Sequence, residues 1–230
     1  MDSAQTSPRR PSTARGRINV WLLCSTTLTM FWIGPYAHAQ PGDNLGQLIA
    51  EKGLHHIPAC AVCHGENGEG NLSAGYPRLA GMSKAYLFDQ MNDYASGARH
   101  NRAMQRYSHT LTFLQRKAVA GFYAAKPGLQ PSTLSPPSAD NPNLVKLMEQ
   151  GDWSREIPSC FSCHGVNGAG TPLIPAIAQQ PAQYVITQMN HWQTDARPVV
   201  DGDPMAIIAK HLSTTEIADI ARYLAHNGTK

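Results

Sequence analysis

The sequence predicts an all-α protein made of two small tandem domains, and three observations carry that expectation. The chain repeats itself at a spacing of about 100 residues: HIPACAVCHGENGEGN at 56–71 matches EIPSCFSCHGVNGAGT at 156–171. Apolar residues recur at helical spacing behind two N-terminal capping boxes, Thr112-x-x-Gln115 and Ser213-x-x-Glu216. No alternating run convincing as a strand appears. Two copies are too few for a solenoid, which must stack several repeats to close a core.

Residues 1–39 read as a secretory signal. Arg9, Arg10, Arg15 and Arg17 form a basic leader, residues 18–34 are apolar, and Ala37-His38-Ala39 is the small-x-small pattern that precedes cleavage. The exported chain then begins near Gln40, and a retained leader would instead anchor it to a membrane. The leader also explains the formal charge of +3. Without it the chain holds 15 basic and 15 acidic residues. Such a balance argues against nucleic acid as a partner, because phosphate neutralisation needs a basic face.

The first domain is expected at residues 40–126. A helix over Asn44 to His55 turns Leu45, Gly46, Leu48 and Ile49 inward, an amphipathic helix runs from Tyr86 to Tyr94, and the last helix opens at Thr112. Residues 127–143 are rich in Pro, Ser, Asn and Asp and read as a stiff, extended linker. The second domain, 144–230, repeats the order. A helix from about Asn143 to Trp153 carries Leu144, Leu147 and Met148 on one face. A second spans Tyr184 to Trp192, and a third follows Ser213 with Ile217, Ile220, Ala221 and Leu224 inward. Tyr123 in the last helix of the first half is matched to Tyr223 in the second. Aromatic residues make up 7% of the chain, few for two cores, and a large apolar cofactor would supply the missing bulk.

The cysteines say which cofactor. Cys24 lies in the leader, and the other four fall in two identical frames, Cys60-Ala-Val-Cys63-His64 and Cys160-Phe-Ser-Cys163-His164. C-x-x-C-H is the attachment signature of a c-type haem. The thiols add to the porphyrin vinyl groups as thioethers, and the two residues between them set the sulfurs about one helical turn apart. The adjacent histidine then faces the iron. Disulfides would leave both histidines unexplained, as would a zinc site built from the four cysteines, and a thioredoxin-type pair needs a βαβ context absent here. The expectation is two covalently bound haem c groups, one in each half.

A second axial ligand is expected from Met104 and Met205. Each lies about 40 residues after its histidine, His64 or His164, and just before the capped terminal helix of its half. A thioether ligand raises the potential. Met82, Met91, Met148 and Met189 compete for the role, although methionine more often fills core gaps. His100, His109, His191 and His211 are the alternatives that would give a low-potential bis-His iron. Residues 201–205 read as a tight loop delivering Met205, and residues 100–104 are less turn-like. Pro77 and Pro175 follow the attachment motifs. A backbone carbonyl there would accept the Nδ1 proton of the proximal histidine, and an ordinary loop proline is the competing reading.

With both C-x-x-C-H-G motifs, their N-G-x-G tails, Tyr-Pro-Arg-Leu-Ala-Gly at 76–81 and the repeated Gln-Met-Asn, residues 44–228 resemble the dihaem class I cytochromes c of the c-four type. That resemblance implies two fused cytochrome c domains, each a few helices wrapped around one haem. It implies His64 with Met104 and His164 with Met205 as iron ligands. It also implies a periplasmic electron carrier, soluble or membrane-associated, working between a quinol- or dehydrogenase-linked donor and a terminal oxidase or reductase. Partners would be redox proteins, met transiently or as fellow subunits of a dehydrogenase complex. An iron held by two protein ligands leaves no position for substrate, so no enzyme is expected, and a dihaem peroxidase is the weaker alternative. Ala176 stands where the first half has Arg78, so a partner for a haem propionate is missing from the second half.

Overall fold

Each half is closed by the packing of its first helix on its last. In the first half these are α1 (Pro41–Lys52) and α5 (Phe113–Ala124). In the second they are α6 (Pro142–Glu149) and α10 (Thr214–His226). The computed structural model describes residues 41–134, 141–197 and 203–226. The expected leader at 1–39, linker residues 135–140 and loop residues 201–202 lie outside them. Both halves belong to one compact unit, Ala39–Lys230.

The capping boxes form as the sequence predicts. Thr112 Oγ1 accepts from the Gln115 N–H at 3.3 Å, and Gln115 Oε1 accepts from the Thr112 N–H at 2.8 Å. Ser213 Oγ accepts from the Glu216 N–H at 3.2 Å, while Glu216 Oε2 accepts from the Ser213 N–H at 2.8 Å. Each box satisfies orphan donors of a helix start and contributes about 1 kcal/mol.

Two helices stop short of their expected C-terminal ends, and glycines explain both. α1 ends at Lys52 rather than His55 because Gly53, at φ 80°, reverses the chain and donates to Ile49 O at 3.1 Å. The buried stripe runs through Ile49 and Ala50, and Leu48 is 48% exposed rather than inward. α6 stops at Glu149, well short of Trp153, because Gly151 at φ 77° turns the chain into a short antiparallel pair. That pair joins β1 (Gly151–Asp152) to β2 (Ile157–Pro158). The first half has the same device as a single bridge, Leu54 to Ile57. Pairs this short carry no readable alternation.

Between these elements lie two one-turn helices, α2 (Ala61–His64) and α7 (Cys160–His164). The amphipathic helices α3 (Lys84–Ser96) and α8 (Ala182–Gln193) follow. Two further helices were not expected, α4 (Arg102–Thr110) and α9 (Pro204–His211). Part of the linker also departs from an extended chain: residues 131–133 form a 3-10 turn, and Leu134 is buried with its carbonyl accepting from Asn167 Nδ2 at 3.2 Å.

The duplication is visible in backbone hydrogen bonds and corrects one sequence match. The Gly81 N–H donates to Tyr123 O at 2.9 Å, and at the equivalent place the Gln179 N–H donates to Leu224 O at 2.7 Å. Tyr123 therefore corresponds to Leu224, not Tyr223. Identity of side chain misled there, because the duplication preserves backbone register.

Each half has its own apolar cluster, around Ile49, Leu87, Val119 and Tyr123 in the first and around Met148, Ile157, Ile217 and Leu224 in the second. Neither closes on itself. Leu87, Val119, Ala120, Tyr123, Ile220 and Leu224 instead line a cavity of about 710 Å³ whose walls come from both halves. Among the described residues no helix is long and apolar enough to cross a membrane.

Candidate functional site

The one-turn helices α2 and α7 bring two thiols and one imidazole to the cavity wall in each half. Cys60, Cys63, Cys160 and Cys163 are all free thiols lining it. The turn is closed in the first half by the His64 N–H donating to Cys60 O at 3.0 Å. Before haem attachment, burial pushes the Cys60 and Cys160 thiols up to about 11.

His64 and His164 are 7% and 8% exposed. Their Nδ1 atoms lie 2.9 Å from Pro77 O and 2.8 Å from Pro175 O. A carbonyl can only accept, so Nδ1 carries the proton and Nε2 presents a lone pair. Burial draws both imidazoles below the ordinary histidine range, which keeps them neutral. A neutral imidazole with its far nitrogen pinned is the form that ligates a metal.

The N-G-x-G tails place those proline loops. Gly70 and Gly170 sit at φ 85° and 86°, and their N–H groups donate to His64 O and His164 O at 2.7 Å each. A Cβ on Gly70 would lie 2.7 Å from Arg78 N, and one on Gly170 would lie 2.6 Å from Ala176 N. Only glycine allows the proline-bearing segment this close.

Met104 and Met205 line the same cavity, but they are carried on helices rather than loops. Met104 is in the first turn of α4, where its N–H donates to the Asn101 cap at 3.0 Å. Met205 is in the first turn of α9, where its N–H donates to the Asp203 cap at 2.9 Å. Asp203 followed by Pro204 is an N-cap and first-position signature that was open to reading in the sequence. Met82, Met91 and Met189 also line the cavity, whereas Met148 is fully buried away from it. Of the alternative histidines, His100 and His191 reach the cavity wall. His109 instead faces Ala95 O at 3.3 Å, and His211 lies 3.9 Å from Glu156.

Among the described residues no three His, Cys, Asp or Glu side chains converge as a metal site would require, so the four cysteines do not form a zinc centre. The residues present do fit a c-type haem in each half. Thiols one turn apart, a neutral imidazole with Nε2 free and apolar walls are the donor set such a group needs. Several buried donors also lack a partner among the described residues, including Arg78 Nη1, Arg99 Nε and Trp192 Nε1, all on cavity-lining residues.

The halves differ at Arg78. Its Nη2 donates to Pro127 O at 3.1 Å, while Ala176 at the matching place packs into the first half's apolar cluster. A polar cluster between the halves was not foreseen, although its glutamines lie in the matched Gln-Met-Asn stretches: Tyr86, Gln90 and Arg99 come from one half, Tyr184, Gln188 and Arg197 from the other. Its signal was present, since all three pairs share an offset of 98 residues.

The cytochrome c family model matches this chain twice, at residues 46–124 and 156–228. The thiosulfate dehydrogenase electron acceptor of Stutzerimonas stutzeri is 37% identical over 75% of this chain and 80% of its own length. Cytochrome c4 of Pseudomonas aeruginosa is 32% identical over 88% of this chain and 96% of its own. Among solved structures, thiosulfate dehydrogenase (TsdBA) from Marichromatium purpuratum superposes with a TM-score of 0.71 at 33% identity. That match covers 80% of this chain and only 40% of the other.

Proposed function

The chain belongs to the cytochrome c family, and we propose that it takes electrons from a thiosulfate-oxidising dehydrogenase and passes them to a further redox protein in the periplasm. It is a dihaem electron carrier of the c4 type with two covalently bound haem c groups. In this reading Cys60 and Cys63 hold one group with His64 and Met104 as axial ligands. Cys160 and Cys163 hold the other with His164 and Met205. The bound groups supply a reversible one-electron couple.

One observation carries the ligand reading. In both halves a neutral histidine, pinned through Nδ1 to a proline carbonyl, shares a cavity with a methionine on a capped helix. The two caps fix the start of each helix and so hold each methionine in register. The Pro77 and Pro175 carbonyls set the imidazole planes and raise their basicity. Two protein ligands on each iron leave no position for substrate, so the chain itself is not an enzyme.

The donor is suggested by the relatives named as electron acceptors of thiosulfate dehydrogenase. Val62, inside the first attachment motif, and Leu173, on the loop after the second, are exposed apolar side chains at 75% and 85%. Small patches of this kind suit brief docking rather than a permanent interface. The haem-bearing domains are residues 40–126 and 144–230, joined by 127–143 and exported behind a leader at 1–39.

A spectroelectrochemical titration of the holoprotein tests the ligands. Two high-potential transitions, with the far-red sulfur-to-iron band in the oxidised form, are expected. A low-potential or five-coordinate haem overturns the methionine assignment in that half. Stopped-flow mixing with thiosulfate and a purified thiosulfate dehydrogenase tests the donor: reduction within the enzyme's turnover time supports it, and an oxidised cytochrome after many turnovers rejects it.

A further inference from the structure

Between the halves, two arginines share two acceptors. Arg99 donates to Gln90 Oε1 at 2.8 Å and to Gln188 Oε1 at 2.6 Å. Arg197 donates to Gln188 Oε1 at 3.1 Å and to Gln90 Oε1 at 2.7 Å. Each guanidinium is thus tied to its own half and to the other. Arg99 also donates to Tyr184 OH at 3.0 Å. The guanidiniums are stacked in matched fashion, Arg99 over the Tyr94 ring at 4.7 Å and Arg197 over the Trp192 ring at 4.2 Å. Tyr94 and Trp192 are separated by the same 98 residues as the arginines.

Among the described residues this pair has no anionic partner. Arg99 is 4% exposed, and among the described residues neither arginine has a carboxylate within ion-pair distance. Asp93 is the nearby acid: its carboxyl is pushed up by burial and pulled back down by both arginines. A buried cation without a counter-ion is costly, and nature pairs such groups. Two donors of the cluster, Arg99 Nε and Trp192 Nε1, have no acceptor among the described residues. Arg99, Arg197, Gln90, Gln188, Tyr184 and Trp192 line the cavity that also carries His64, Met104, His164 and Met205.

We propose that Arg99 and Arg197 form one shared cradle for the propionate carboxylates of both haems, so that each arginine sets the reduction potential at both irons. The inference rests on the dihaem reading above. Its physical content is additive: an electron arriving at either iron is stabilised by both cations, because the glutamines hold them side by side in a site of low polarity. A propionate accepts from the guanidinium edges that the glutamines leave open and from the orphan donors. Arg78 has no matching partner in the second half, so it acts on the first haem alone.

The test is a spectroelectrochemical titration of the full holoprotein and of Arg99→Gln, Arg197→Gln, Arg99→Lys and Arg78→Gln. Arg99→Gln and Arg197→Gln should each lower both transitions, and Arg99→Lys should lower both by less, because it keeps the charge but loses the fork. Arg78→Gln should lower one transition only. Shifts confined to one transition in the Arg99 and Arg197 variants, or no shift with both haems retained, overturn the shared cradle. Where a Gln variant does not accumulate, the Lys variant decides by the same criterion. Haem content and the far-red band are read from the same samples, so failure of the dihaem reading is seen separately in the unsubstituted protein.

Discussion

Gln180 holds both backbone groups of Arg78 from the opposite half. Its Oε1 accepts from the Arg78 N–H at 3.1 Å, and its Nε2 donates to Arg78 O at 3.1 Å. The side chain is 3% exposed, so it acts as a short piece of sheet edge built from an amide. It fixes the residue that follows Pro77, and through Pro77 O it steadies the imidazole of His64.

Gln180→Ala should therefore destabilise the protein without unloading it. Removing the amide leaves a buried N–H and a buried C=O without partners, a loss of about 3 kcal/mol. Urea titration followed by far-UV circular dichroism should give a lower midpoint with an unchanged haem-to-protein ratio. An unchanged midpoint would remove Gln180 from the account of how the halves stay together.

Methionine replacement should separate the two irons. Met104→Ala and Met205→Ala should each remove about half of the far-red band of the oxidised protein and shift one transition to lower potential. The double variant should lack the band. If a single variant keeps the full band, a neighbouring sulfur such as Met91 or Met189 is the ligand in that half.

Covalent attachment can be counted directly. Replacing Cys160 and Cys163 with serine should leave one haem on the chain after acid-acetone extraction, halving haem stain on a denaturing gel. Intact mass should fall by one haem. Full stain in that variant would contradict attachment at the second motif.

Glu216 makes acid stability readable at one residue. Hydrogen bonds from Arg155, then those from Ser213, hold its carboxylate down to about 2 against the cost of burial. A depressed carboxylate pKa stabilises the fold above the ordinary glutamate range and loses that contribution as pH falls toward about 2. The site is largely solvated, so the effect is small. Glu216→Gln should melt about 2 °C below the parent at pH 7, and the two curves should converge near pH 2. A constant gap across that window would mean the charge is irrelevant.

The sequence made the chemistry legible because the chemistry is local. A thiol pair, its histidine, the glycine tail and both capping boxes each occupy fewer than twenty consecutive residues, and in each case the spacing carries the geometry. Features built from distant segments were harder. The stripe of α1 was placed one residue out at Leu48, since an amphipathic helix with a glycine in its face allows two rotations. α4 and α9 were not expected as helices, because runs of only 9 and 8 residues carry little periodicity, and residues 201–205 alone read as a tight loop. The arginine pair shares the 98-residue offset of the repeat, but that its members meet depends on two halves facing each other.

Duplication ordinarily frees one copy of a domain to drift while the other keeps the old role. Here Gln90 serves an arginine of its own copy and one of the other, and Gln188 does the same. A change at either glutamine is felt twice, once in each descendant of the ancestral domain. The two copies are therefore bound to evolve in concert at this junction, although elsewhere, as at Arg78 and Ala176, they have already parted.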